Sequence, residues 1–188
     1  MDGVRAALAS HNPHKLDELR AALPGWEVTL LDADEFPPEE GETYYENARA
    51  KARFGRSIGD AGVWMLGEDS GIEVEALDGG PGIESARWSG RWIEELLERL
   101  EGVVDRRARY VCELVCLSPE LDEFRGTGVL EGRVAAEPRG TEGFGYDPIF
   151  VPDGEERTVA ELGDEWKRRH SHRARAAEAL REAVADLA

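Results

Sequence analysis

The alternation of apolar and polar residues predicts a strand, a helix and a second strand at the start of the chain. Val4–Ala9 and Trp26–Leu31 have the apolar, partly β-branched character of strands. Between them, apolar residues at positions 16, 19, 22 and 23 recur at helical spacing. Asn12 is a suitable N-cap and Pro13 a suitable first residue for that helix.

A second helix is predicted from Thr43 to about Ser57. Thr43 and Glu46 have the spacing of a capping box, in which each side chain bonds the other's backbone. The acidic, proline-bearing stretch 32–41 before this helix is predicted to be a loop. Lys51 lies in the middle of the helix.

The central stretch opens with Val63–Leu66, an apolar run that predicts a buried strand. Two adjacent carboxylates, Glu68 and Asp69, follow it, and Ser70–Gly71 is predicted to break the strand. Residues 72–76 then alternate as a half-exposed strand. Two carboxylates at the end of a buried strand are costly to desolvate unless a cation or a metal ion meets them. The pattern therefore indicates metal-assisted phosphate chemistry centred on Asp69, although a solvated turn would leave the same local pattern.

The second half of the chain continues with a helix over about 91–101 and strands over 109–117 and 123–135. Gly126 and Gly128 suggest a bulge or a turn in the last of these strands. No internal repeat or linker divides the chain, so we expect a single domain over residues 1–188. The order of elements predicts an α/β fold with a mixed sheet.

Cations occupy the first turn of two predicted helices, where the helix dipole disfavours them. His14 and Lys15 follow the N-cap of the first helix, and His172 and Arg173 follow Ser171, the predicted N-cap of a final helix. The apolar stripe of that final helix comprises Ala177, Leu180, Val184 and Leu187. A helix N-terminus with free backbone N–H groups and a lysine can bind phosphate. Both helix starts would suit a polyanion or the polarised oxygen of a base.

Composition excludes several classes of function. A net charge of -17 argues against sequence-independent nucleic-acid binding, which depends on cations that neutralise phosphates. No apolar run approaches the roughly 18 residues that span a bilayer, and no secretory leader pattern is visible, so we expect a cytoplasmic protein. Cys112 and Cys116 lie in an apolar stretch and are predicted to be small core residues rather than a disulfide or a zinc site.

Lysine is rare in this chain. Only Lys15, Lys51 and Lys167 are lysines among 23 basic residues. An ammonium group is a compact point charge that suits a phosphate oxygen and does not replace the planar guanidinium group. Codon bias with three remaining lysines would give the same count.

A glycine-rich stretch near residue 144 is a candidate contact for a base. Gly143 and Gly145 flank Phe144, so the backbone there can approach a ligand and the ring can lie against a base. A tight hairpin with a core phenylalanine is the alternative.

Taken together, these motifs resemble the inosine/xanthosine triphosphate pyrophosphatase family over essentially the whole chain. The matching motifs, in chain order, are Ser10–Lys15, Glu46–Lys51, Asp69–Gly71, Gly79–Gly82 with Ser85–Arg87, Gly143–Pro148, Lys167 and Ser171–Arg173. All three lysines fall on motif positions. The resemblance implies an elongated mixed sheet flanked by helices, with two lobes and a central cleft. It also implies a homodimer that uses Mg2+ to hydrolyse ITP, dITP or XTP to the monophosphate and pyrophosphate.

The resemblance also assigns roles to residues. Asp69 would accept the proton of the attacking water and lie near the metal. Glu39 would be its partner carboxylate, although the spacing leaves Glu39 and Glu40 both open. The residues expected to hold the triphosphate are Ser10, Asn12, Lys15 and Lys51, and those expected around the base are Phe144, Tyr146, Asp147, Lys167, His172 and Arg173. The same motifs add His11, Ser70, Arg87 and Gly145 as substrate contacts.

Two departures and two rival functions accompany the resemblance. Glu68 stands where many members have a second aspartate, and its longer side chain would alter the metal geometry. His170 stands where the motif is usually apolar. A pyrophosphatase of the same fold for pyrimidine or modified nucleotides is one rival, and a nucleotide-binding module without turnover is the other.

Overall fold

The computed structural model describes residues 3–186, so Leu187 of the predicted apolar stripe lies outside them. The strands are β1 (Val4–Leu8), β2 (Trp26–Leu30), β3 (Trp64–Val74), β4 (Arg107–Leu117), β5 (Glu123–Val134) and β6 (Phe150–Pro152). The helices are α1 (Pro13–Ala22), α2 (Tyr44–Ile58), α3 (Trp92–Arg99), α4 (Val159–Leu162), α5 (Asp164–His170) and α6 (His172–Ala185). Within these residues, every helix falls short of the length and hydrophobicity needed to cross a membrane.

The six strands form one sheet in the order β2-β1-β3-β4-β5-β6. Strand β1 pairs in parallel with both β2 and β3, whereas β5 and β6 pair antiparallel. The prediction of an α/β fold with a mixed sheet is therefore confirmed.

The chain divides into two compact units, and the dividing points fall within β3, β4 and β5 and after the first residue of α6. The first unit comprises the chain up to Asp69, Cys112–Gly128, and the residues from Arg173 onward. The second unit comprises Ser70–Val111 and Val129–His172.

In the first unit, strand residues alternate between two apolar clusters because successive side chains point to opposite faces of a sheet. Ala6 and Leu8 of β1 belong to a cluster with leucines of α1 and the apolar stripe of α6. Ala7 of the same strand belongs to the other cluster, which includes Ala48 and Ala52 of α2. Helices α1 and α6 thus cover one face of these strands, and α2 covers the other.

The predicted bulge or turn at Gly126 and Gly128 is wrong. Strand β5 is continuous, and its side chains alternate between buried and exposed positions from end to end. A Cβ atom added at Gly126 would lie 2.1 Å from the carbonyl oxygen of Ala176 in α6. The close approach of that helix therefore explains this glycine.

The predicted break at Ser70–Gly71 is also wrong, because β3 runs without interruption from Trp64 to Val74. Pairing within the sheet overrides the local tendency of a Ser-Gly pair to form a turn. The strand ends two residues earlier than predicted, since Ala76 lies exposed in a 3-10 turn over Glu75–Leu77.

The second unit has its own apolar core. It comprises residues of β3, α3, β4, β5, β6 and α4: Ile72, Val74, Leu96, Leu100, Ala108, Tyr110, Leu130, Val134, Tyr146, Ile149, Phe150 and Val159. The sequence did not predict β6, α4 or α5. Strand β6 has three residues and α4 has four, too few to show a hydrophobic period.

Candidate active site

Glu68 and Asp69 are neighbours in β3, and their side chains meet different helices. Glu68 contacts Lys15 of α1 and Arg173 of α6, whereas Asp69 contacts Lys51 of α2. Consecutive residues of a strand point to opposite faces, so the closest cations of the two carboxylates come from different helices. The predicted carboxylate pair is therefore two separate clusters inside a strand. The cations that the prediction required are present in both.

The Glu68 cluster comprises Lys15, Glu18, Glu68 and Arg173. Arg173 donates from Nη2 and Nε to Glu68 Oε1 at 2.7 and 3.1 Å, and it also pairs with Glu18. The Lys15 ammonium lies 2.5 Å from Glu68 Oε2. Burial raises the pKa of Glu68, but the charges of Arg173 and Lys15 outweigh it and hold that pKa well below its usual value. These ion pairs account for Arg173 in the first turn of α6, so no bound ligand is needed to explain this cation.

Cys112 and Cys116 are free and fully buried, as predicted for core residues. Burial and the neighbouring Glu68 carboxylate raise the pKa of Cys112 well above its usual value. Both thiols are therefore protonated at neutral pH and are not poised as nucleophiles.

The Asp69 cluster comprises Glu39, Asn47, Lys51 and Asp69. Asn47 Nδ2 donates to Asp69 Oδ2 at 2.9 Å, and the Lys51 ammonium lies 3.3 Å from Oδ1. Asn47 and Lys51 are one turn apart on α2, which begins with the predicted capping box. Asn47 Oδ1 accepts the N–H of Gly41 at 2.8 Å, so its amide nitrogen faces Asp69.

Burial raises the pKa of Asp69 above its usual value, and the Lys51 charge and the Asn47 hydrogen bond offset part of that effect. The Asp69 side chain is thus a held and partly desolvated carboxylate. Such a group is a stronger proton acceptor than an aspartate in water.

Glu39 and Asp69 come from different segments, and both reach the Lys51 ammonium. Mg2+ in phosphate-binding sites takes one or two carboxylates and completes its shell with water and phosphate oxygens. These two carboxylates match that donor set. Glu40 is exposed, which favours Glu39 over Glu40. Among residues 3–186 no group of three or more His, Cys, Asp or Glu side chains is arranged for a metal ion.

The loop before α1 forms a capped helix start. Asn12 Oδ1 accepts the N–H groups of His14 and Lys15 at 2.9 and 3.4 Å. Ser10 Oγ accepts the N–H of Asn12 at 3.1 Å. The expectation that these N–H groups are free is wrong, because the predicted N-cap already engages them. The cation that this loop presents is the Lys15 side chain.

The Asp147 cluster lies in the second unit and comprises Tyr110, Phe144, Asp147, Lys167 and His172. Asp147 Oδ2 accepts from Lys167 Nζ at 2.6 Å and from the Phe144 N–H at 2.8 Å, and Oδ1 accepts from the Tyr110 hydroxyl at 3.2 Å. The Lys167 ammonium lies 3.9 Å from the centre of the Phe144 ring. Asp147 therefore closes the glycine-rich loop and holds the lysine against its aromatic residue.

Gly143 is required by this closure. Its φ is +76°, and a Cβ atom there would lie 2.3 Å from Asp147 Oδ2. Tyr146 is buried beside the loop and donates from its hydroxyl to the carbonyl of Ser85 at 3.0 Å. Burial raises the pKa of Tyr146 to about 12, so the phenol stays protonated.

The remaining predicted residues have varied surroundings. His11 is exposed with its Nε2 2.8 Å from the carbonyl oxygen of Ala33, Arg87 is exposed, and Ser70 is half-buried in β3. Gly145 has a φ of +62° with open space around it. Their roles toward substrate stay predictions.

Three residues of these clusters were missed from the sequence: Glu18, Asn47 and Tyr110. Asn47 lies four residues before Lys51 on a predicted helix, a spacing that places both on one face. Glu18 and Tyr110 carry no such local signal, since their partners lie 155 and 37 residues away in the chain.

Comparison with known proteins yields one family. The model of the Ham1 family matches residues 6–183. A Deinococcus deserti protein named "dITP/XTP pyrophosphatase" is 43% identical over 99% of this chain and 92% of its own length. A Thermus thermophilus protein of the same name is 42% identical over 98% of this chain and 93% of its own length.

Solved structures agree with this match. The Staphylococcus aureus Ham1 protein superposes with a TM-score of 0.85 at 33% identity, covering 98% of this chain and 100% of that chain. A Mycobacterium abscessus structure described as a nucleoside-triphosphatase / dITP/XTP pyrophosphatase has a TM-score of 0.72 at 40% identity, covering 94% of this chain and 97% of that chain.

Proposed function

The chain belongs to the Ham1 family, and we propose that it hydrolyses the non-standard purine nucleoside triphosphates dITP, XTP and ITP to the monophosphate and pyrophosphate. The family resemblance read from the sequence motifs is thereby confirmed. The observation in this chain that best supports the chemistry is Asp69, a partly desolvated carboxylate held between Asn47 and Lys51.

Asp69 is the proton acceptor in this proposal. The Asn47 amide and the Lys51 ammonium each engage one carboxylate oxygen and so fix the orientation of the group. Burial raises its pKa, and this increases its basicity. Asp69 takes the proton from a water molecule that attacks the α-phosphorus, and pyrophosphate leaves.

Lys15 and Lys51, with Ser10 and Asn12, hold the triphosphate. A protein with a net charge of -17 repels a polyanion unless local cations meet it, and these two ammonium groups supply that charge. Each lysine has a carboxylate partner in the protein. Those partners hold the lysine side chains in place before substrate binds.

Glu39 and Asp69 are the carboxylates that would hold Mg2+. When bound, the ion would neutralise charge on the phosphate oxygens. Glu39 reaches Lys51 from the loop before α2, so the loop and β3 each contribute one carboxylate.

The Asp147 cluster, together with Tyr146, recognises the base. A 6-oxopurine presents an acceptor where adenine presents a donor, so N–H donors from His172 or Lys167 would be left unpaired by adenine. A site that hydrogen-bonds a particular group of its substrate can discriminate by about 10^4–10^5 in kcat/KM against an analogue that lacks this group. Phe144 supplies an aromatic face for the base.

The remaining features of the proposal concern the whole molecule. The chain acts as one catalytic domain over residues 1–188, works as a homodimer and acts in the cytoplasm on free nucleotides.

The proposal is tested by measuring pyrophosphate release from dITP, XTP, ITP, GTP, ATP and dTTP with Mg2+. We expect turnover of the first three at least about a hundredfold above ATP. Asp69→Asn should bind dITP by calorimetry and release little pyrophosphate, whereas Asp153→Asn, at an exposed aspartate, should keep full activity. Preferred turnover of dTTP would support the pyrimidine alternative, and binding without turnover by the unmodified chain would support a non-catalytic module.

A further inference from the structure

Tyr110 connects two residues of the second unit that the proposed function places around the base. Its hydroxyl donates to Asp147 Oδ1 at 3.2 Å. Its ring stacks on His172, with 4.7 Å between the ring centres and 25° between the planes. Tyr110 lies in the middle of β4 and only 6% of its surface is exposed, so it is held from all sides.

The hydroxyl contact restricts rotation of the Asp147 carboxylate. Lys167 of α5 and the Phe144 N–H of the glycine-rich loop both bond Oδ2. The Tyr110 hydroxyl supplies the second fixed point, and the orientation of Asp147 in turn sets the place of Lys167 and the loop.

The ring contact restricts the plane of the His172 imidazole. The Tyr110 ring also packs against Phe150, with 4.2 Å between ring centres and 32° between planes. Phe150 is fully buried in the core of the second unit. The Tyr110 ring thus connects Phe150 in the core to His172, which is predicted to face the base. Hydrogen-bond directions from an imidazole lie in its plane, so fixing the plane fixes where His172 can donate or accept.

We propose that Tyr110 is a positioning residue for purine recognition, acting through Asp147 and through His172. This inference rests on the proposed function, because it assigns both partners to the base. Tyr110 does not contact the reacting phosphate in this assignment. Its loss should therefore weaken substrate binding and base selectivity and leave the chemical step intact.

Two substitutions separate the two contacts. Tyr110→Phe keeps the ring contacts with Phe150 and His172 and removes only the hydroxyl. We expect the KM for dITP to rise about 3- to 10-fold, the equivalent of one hydrogen bond, with kcat unchanged. Tyr110→Leu removes the stack as well, and we expect a larger rise in KM together with a fall in the dITP-to-dATP ratio of kcat/KM.

Tyr45→Phe is the matched control. It removes another tyrosine–carboxylate hydrogen bond, from Tyr45 to Glu123 at 2.5 Å in the first unit. We expect unchanged KM and selectivity for this variant. The melting temperature of each variant is measured alongside its kinetics.

The outcomes distinguish the inference from the proposed function. Wild-type KM and selectivity in both Tyr110 variants, with only a lower melting temperature, would show a structural role and overturn the inference. A fall in kcat at unchanged KM would also overturn it, since it would place Tyr110 in the chemical step. A wild-type protein that does not hydrolyse dITP, XTP or ITP would refute the proposed function itself, and the inference with it.

Discussion

Glu68→Gln tests whether the buried charges on the α1–α6 side of β3 stabilise the fold. The substitution keeps the shape of the side chain and removes its charge. The Glu68 side chain is fully buried, and Arg173 and Lys15 both approach it within 2.7 Å. Arg173 is 1% exposed, so removal of its principal anion leaves a guanidinium group inside the protein that has lost the counter-charge of Glu68.

The expected cost follows from this burial. Breaking a buried ion pair by removing one partner costs about 3–5 kcal/mol, because the remaining charge stays desolvated. For a chain of this size, 1 kcal/mol corresponds to about 2–4 °C in melting temperature. We therefore expect Glu68→Gln to melt about 6–20 °C below the wild type at pH 7, measured by circular dichroism.

Glu98→Gln is the control, because it also removes a carboxylate from an arginine pair. Arg91 lies 2.7 Å from Glu98, and the two side chains are 64% and 61% exposed. Solvent-exposed pairs contribute about 1 kcal/mol or less. The control should therefore lower the melting temperature by only a few degrees.

The pH dependence identifies charge as the cause. The folded-state pKa of Glu68 is depressed, so its stabilisation is complete above the unfolded-state pKa and is lost as the pH falls through the folded value. The difference between wild type and Glu68→Gln should therefore shrink in acid. Equal melting temperatures at pH 7, or a difference that stays constant into acid, would refute the reasoning.

Three further predictions concern activity. Lys15→Ala should raise the KM for dITP at least about tenfold, because an ammonium that pairs with phosphate is lost; an unchanged KM would contradict the phosphate role. Asp69 accepts a proton only when it is ionised, so kcat should fall as the pH is lowered through the pKa of Asp69. The Asn47 hydrogen bond lowers that pKa, so Asn47→Ala should move the midpoint of the kcat–pH profile to higher pH. A midpoint at lower or unchanged pH would argue against the assignment. Gly143→Ala places a Cβ atom 2.3 Å from a carboxylate oxygen and should raise the KM for dITP. Gly154→Ala, at a similar φ of +82° with open space around it, is the control and should only lower the melting temperature. Equal KM values for the two variants would show that the glycine-rich loop does not take part in substrate binding.

Local signals predicted the helix starts. Asn12 caps α1, and Thr43 with Glu46 forms the capping box of α2, because these bonds join residues two to four apart. Similarly, the strands predicted over 109–117 and 123–135 match β4 and β5 to within two residues at each end.

Long-range contacts were not predictable in this way. The break expected at Ser70–Gly71 is absent, because both residues lie inside the continuous strand β3 of a six-stranded sheet, and sheet context outweighs local propensity. The partner of Glu68 in α6 lies 105 residues away, so the sequence indicated that a cation was needed without showing which one. The cations at the start of α6 pointed to a ligand, yet Arg173 is satisfied by protein carboxylates.

The alternation of side chains along β3 has a consequence for how this enzyme tolerates change in chain length. Loss or gain of one residue between Trp64 and Glu68 would exchange the environments of the two acids: the proton acceptor would turn toward α1 and α6, and the structural glutamate would turn toward α2. Most loops absorb such an insertion at the surface. In this strand an insertion or deletion would exchange the charged partners of the two acids, so we expect relatives of this protein to have no length variation between Trp64 and Glu68.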